Sequence, residues 1–75
     1  MNDEIRIEIA SDQEHEHVVA EIYWRDKFVA LVSQDADCPI VEFPGPGLDE
    51  GCISRAMPLQ ALQEALELAV RRLKE

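Results

Sequence analysis

Between Phe43 and Cys52 the chain reads FPGPGLDEGC, and the hydrophobic pattern has a different period on either side of that stretch. Pro44 and Pro46 withdraw two amide donors, while Gly45, Gly47 and Gly51 accept backbone angles that other residues resist. No regular strand or helix runs through such a segment. It therefore reads as a connector between a first part whose apolar residues alternate and a second part whose apolar residues recur at helical spacing.

In the first part, IRIEIA sets Ile5, Ile7 and Ile9 on one side and Arg6 and Glu8 on the other, the mark of a strand with one wet face. SDQEHE, residues 11 to 16, has the polarity of a loop. HVVAEIYWRDKFVALVS then reads as a hairpin turning at Arg25 and Asp26, with Trp24 opposite Lys27, Tyr23 opposite Phe28 and Ile22 opposite Val29. That register collects Val18, Ala20, Ile22, Trp24, Val29 and Leu31 on one face, taken as the core face. Val19, Glu21, Tyr23, Phe28, Ala30 and Val32 form the reverse face. Arg-Asp is not a favoured two-residue turn, so a longer loop that exchanges the faces stays open. CPIVEF supplies a fourth short strand, with Pro39 suited to its beginning or to an edge.

After the connector, Leu59, Leu62, Leu66, Ala69, Val70 and Leu73 gather on one side of a helix of about sixteen residues starting at Pro58. Ala61, Ala65 and Leu68 widen the apolar face enough to cover a sheet or to touch a second subunit. The expected fold is α+β: a small antiparallel sheet of three to four strands in the order β-β-β-β-α, packed by one C-terminal amphipathic helix. The 75 residues suffice for one domain, residues 1–75, with a single thin core. The same few apolar side chains cannot both hold such a fold and line a deep active site, so no enzymatic activity, catalytic residue or cofactor is expected.

Sixteen acidic and seven basic residues give a net charge of −9. The acids are concentrated before the helix, in the part read as sheet. A field of that sign repels phosphate backbones, which makes nucleic acid an unfavourable partner and a basic protein a favourable one. No basic leader with an apolar stretch opens the chain, and no apolar run approaches the roughly twenty residues that span a bilayer. A cytoplasmic protein with no membrane association is the resulting expectation.

Few residue groups suggest chemistry. His15 and His17, joined by Cys38 and Cys52, make a four-ligand zinc site conceivable, and either thiol offers a nucleophile. The cysteines are separated by thirteen residues, however, whereas structural zinc sites open with ligands spaced by two to four. Solvated loop histidines and gap-filling thiols are the simpler account. PGPG lacks the lysine and hydroxyl residue of a phosphate loop. Tyr23, Trp24 and Phe28, with the acids Asp49 and Glu50, make the better candidate, as an interaction patch, because aromatic side chains bury large rigid areas. A metal-binding or thiol-dependent protein, and a structural domain whose site leaves no trace in sequence, remain the alternatives to an interaction or regulatory module.

The plan of a short meander followed by a leucine- and alanine-rich helix resembles small bacterial proteins of unknown function. Phe43 and Pro44 at the end of a strand, Gly51 and Cys52 beyond it, and LQALQEAL from Leu59 also bear a partial resemblance to the HicB-like antitoxin domain, over about a third of the chain. That resemblance implies a protein partner and self-association, possible as a homodimer, and carries over no catalytic residue.

Overall fold

The computed structural model describes residues 4–47 and 50–74. Four strands, β1 (Ile5–Ala10), β2 (Val19–Trp24), β3 (Lys27–Ser33) and β4 (Ile40–Glu42), form an antiparallel meander in the order β1-β2-β3-β4. A 3₁₀ turn, Glu50–Cys52, and an extended connector lead to helix α1 (Leu59–Leu73). The architecture is the α+β arrangement of a four-stranded sheet and a C-terminal helix. Pro58 serves as the N-cap, one position earlier than its expected place as first helical residue, and Leu62 N–H donates to its carbonyl at 3.0 Å.

The β2–β3 hairpin turns at Arg25 and Asp26, with Trp24 opposite Lys27 and Tyr23 opposite Phe28. Both turn residues have positive φ, 51° and 67°, the left-handed geometry of a two-residue hairpin turn that normally selects asparagine and glycine. The turn is held from β1: Arg6 Nη1 reaches Asp26 Oδ1 at 2.6 Å, Arg25 Nε reaches Glu4 Oε1 at 3.1 Å, and Arg25 N–H donates to the Glu4 carbonyl at 2.9 Å.

Beyond Tyr23 the register departs from simple alternation. Ile22 faces Ala30 rather than Val29, because a bulge between Ile22 and Tyr23 leaves Val29 as an extra residue on β3. The expected face of β2 holds, with Ala20, Ile22 and Trp24 all buried in the core. On β3 the faces change: Ala30 and Val32 enter the core, Val29 stays there at the bulge, and Leu31 moves to the reverse side. Val18 is exposed, whereas Val19 is buried on the reverse side.

The helix meets the sheet through Ala61, Ala65 and Ala69, all buried against Ile7, Ala20, Ile22 and Val32. Leu66, Leu68, Val70 and Leu73 are partly buried against the same cluster, so the expected apolar face holds, with the alanines at its centre. Small side chains let the helix backbone approach the sheet closely, and the leucines fall to either side of that line. The helix packs across β1 and β2, touches β3 lightly, and among the described residues does not reach β4. Arg72 Nη1 donates to the Ile7 carbonyl at 2.8 Å, tying the last turn of the helix to the open edge of β1. Ile53 bridges Phe28 in parallel and Ser54 N–H donates to the Phe28 carbonyl at 2.9 Å, so the connector continues the line of β4 along the first half of β3.

Candidate functional site

Because the helix lies over β1 and β2, the helix side of β3 and β4 is only partly covered. An open cleft of about 490 Å³ runs there between the helix and the connector. Its apolar walls come from Val29 at the bulge, Phe43 and Pro44 after β4, and Met57 and Leu62 at the start of the helix. Phe43 and Leu59 are each 70% exposed, the two most exposed large apolar side chains among the described residues. At 3.6 residues per turn, Leu59, Leu62, Leu66, Val70 and Leu73 share one flank of the helix with Gln63 as its only polar member; Leu66, Val70 and Leu73 are partly buried against the core, Leu62 lines the cleft and Leu59 is exposed. No charged residue lies on that flank, in a chain of which 31% is charged.

Among the described residues Arg55 is the one charged residue lining the cleft. Its Nε donates to both carboxylate oxygens of Glu50, at 2.9 and 3.1 Å, and its two terminal nitrogens lie 3.5 Å from the carbonyls of Pro44 and Gly45. The hydrogen bonds and charge of Glu50 raise the guanidinium pKa further. Arg55 thus pins the Pro-Gly turn to the connector, with its charge matched by Glu50. Gly47 takes φ 92°, which the tight Pro46-Gly47 turn requires. The stretch that separates the two hydrophobic periods is a braced connector, and one wall of the cleft.

The residues expected to form an interaction patch separate. Trp24 is buried in the core, with the Arg25 guanidinium 5.2 Å from its ring centre. Tyr23 and Phe28 pack edge to face on the reverse side of the sheet, ring centres 5.8 Å apart, and the Arg6 guanidinium lies 4.4 Å over the Tyr23 ring. Partial burial, followed by the charge and hydrogen bond of Glu21, pushes the Tyr23 hydroxyl pKa up. Glu50 is exposed and paired with Arg55, whereas Asp49 lies outside the described residues.

The histidines take separate structural roles. His15, with its side chain only 9% exposed, donates from Nε2 to Glu42 Oε2 at 2.8 Å. Its Nδ1 lies 3.4 Å from Asp12 Oδ2. The hydrogen bond to Glu42, with the charges of Glu42, Asp12 and Asp35, outweighs partial burial and raises the His15 pKa above 6.5. The contact folds the β1–β2 loop over the end of the sheet's reverse face, where Val19 and Ser33 are buried. His17 Nδ1 sits 3.0 Å from Asp35 Oδ1, and Asp35 also accepts from the backbone N–H groups of Glu16 and His17. The His17 contact, then these backbone bonds, lower the Asp35 pKa.

Cys38 and Cys52 are exposed thiols. Among the described residues no group of three or more His, Cys, Asp or Glu is placed to hold a metal ion, so the reading built on His15, His17, Cys38 and Cys52 gains no support. Nor, among those residues, is any helix long and apolar enough to cross a membrane. The sequence reading allowed the helix face to touch a second subunit but did not join Phe43 and Met57 to Leu59 and Leu62 as one surface. The signal was present in the width of the apolar arc, where an alanine line and a leucine line stand side by side.

Comparisons with protein-family models, with curated proteins and with solved structures find no match to this chain.

Proposed function

We propose that the chain is a protein-interaction module that docks an apolar, uncharged surface against the cleft and flank formed by Phe43, Met57, Leu59 and Leu62. The observation that carries this reading is the coincidence of two strongly exposed large apolar side chains with a charge-free helix flank beside an open apolar cleft. Contiguous apolar surface of this kind marks interaction sites in soluble proteins, because covering it removes water from side chains that the fold itself leaves wet. A basic partner is less well supported at this site, since among the described residues no acid lines the cleft. A purely structural role is the reading this one must displace.

Photo-crosslinking in the native cell tests it. A photoreactive phenylalanine analogue at position 43 is expected to give a discrete protein adduct, whereas the same group at position 14, in the acidic loop, gives none. No adduct at 43, or equal adducts at both positions, would leave a domain without a docking face there.

A further inference from the structure

We infer that the partner on this flank is a second copy of the chain, docked about a two-fold axis with the Phe43 side chain of each copy in the cleft of the other. The inference rests on the interaction reading above and supplies its partner.

A two-fold contact uses the same patch on both subunits, so the patch must carry both a projection and a recess. This flank carries both side by side. Phe43 projects at the rim, and Val29, Met57 and Leu62 line the recess beside it. A cavity of about 150 Å³ takes a benzene ring, so a cleft of about 490 Å³ has room for an incoming phenyl group and a neighbouring leucine.

Charge permits the same occupant. Each copy carries −9, and two such copies repel unless their acids face away from the contact. Glu8, Glu21 and Glu42 lie on the reverse face of the sheet by strand register, opposite the helix. The flank contributes no charge, and among the described residues the one guanidinium in the cleft is matched by Glu50. The surface therefore suits a partner surface that is itself apolar and uncharged, which this flank is.

The sheet edges leave side-chain docking as the route. β4 is three residues long and stands between Pro39 and Pro44, which donate no backbone hydrogen bond. On β1 the Ile7 carbonyl already accepts from Arg72. Strand addition would find only three residues at β4 and one acceptor already taken at β1, while Phe43 and Leu59 stand exposed.

Sedimentation equilibrium of the full chain tests the inference. The flank is small, so half-association is expected between about 10 µM and 1 mM chain. Phe43→Ser and Leu59→Ser should each weaken association about tenfold or more while leaving the circular dichroism and melting curve in place, since both side chains are largely exposed in the single chain. Added sodium chloride should tighten the dimer, because it screens repulsion between acidic copies and leaves the apolar contact intact. A dimer indifferent to both substitutions, or one that salt loosens, overturns the inference. A chain monomeric up to about 1 mM that still gives a residue-43 adduct with a different protein overturns the second copy and leaves the interaction reading standing. A monomer with no adduct removes both.

Discussion

The alanine contact between helix and sheet makes a prediction opposite to the one a leucine contact would make. Ala65 is fully buried, and Ala61 and Ala69 sit one turn before and after it against Ile7, Ala20, Ile22 and Val32. Ala65→Leu adds three carbons where helix and sheet already touch. Such overpacking costs about 1–3 kcal/mol. Against a total stability of about 4–11 kcal/mol for a domain of this length, that is a large fraction. A loss of about 2 kcal/mol lowers the melting temperature by roughly 8–16 °C. Leu59→Ala, at a side chain 70% exposed, should stay within about 0.5 kcal/mol. Trp24 is the single tryptophan and lies in the core, so its fluorescence follows unfolding in urea directly. The titration belongs at about 1 µM chain, below the range expected for self-association, so that only the single chain is measured. If Ala65→Leu leaves the urea midpoint unchanged or raises it while Leu59→Ala lowers it, the helix rests on its leucines and the described packing is wrong.

Three further perturbations probe the turn, the loop and the sheet edge. Asp26→Gly relieves a positive φ at the hairpin tip, worth about 1 kcal/mol, but loses the exposed Arg6–Asp26 pair. A net gain of about 0.5 kcal/mol is expected, widening as salt screens the pair in the parent chain, and a urea midpoint that falls would show the pair outweighing the turn. Because folding raises the His15 pKa, its contribution is fully present below pH 6.5 and fades as pH rises through the folded value. Urea midpoints measured on either side of that value should show the fade in the parent chain and lose it in His15→Gln, with the His15 ring titrating above 6.5 by NMR; an equal fade in both chains would put its origin elsewhere. Arg72→Met removes the hydrogen bond to the Ile7 carbonyl, costs about 1 kcal/mol and uncovers the β1 edge, so light scattering on heating should increase. Unchanged scattering would mean that Arg72 does not guard that edge.

How much of this was legible in the sequence depends on whether a segment marks its own faces. IRIEIA does, because Arg6 and Glu8 interrupt the isoleucines, and Ile7 is in the core with its neighbours Ile5 and Ile9 on the same side. FVALV, residues 28 to 32, does not, because both alternating sets are apolar and nothing polar fixes which one faces the helix. A bulge at Val29 could therefore shift Ala30 and Val32 inward without burying a polar group. The helix marked its apolar face but not which residues lie at the centre of that face. Hydrophobicity ranks leucine above alanine, yet close approach of a helix backbone to a sheet selects the smaller side chain. His15 carried no local signal at all, since its partner Glu42 is 27 residues away and is brought near only by the meander.

The uncovered flank and the guarded edge are two results of one placement. A helix of fifteen residues cannot cover four strands, so it must leave part of the sheet bare. The alanine line fixes how closely it approaches, and the Arg72 bond to Ile7 draws its last turn toward β1, whose six-residue edge is the longer hazard for strand addition. β4 needs less protection because it is short and flanked by prolines. Holding the helix over β1 and β2 leaves Leu59 exposed and Leu62 on the cleft wall, on the side of Phe43. It follows that Arg72→Met should do more than loosen an edge: freed from Ile7, the helix can drift toward β3 and narrow the cleft. Self-association should then weaken although residue 72 lies on the far side of the helix, and a dimer of unchanged strength in that variant would show that the placement of the helix does not depend on the bond.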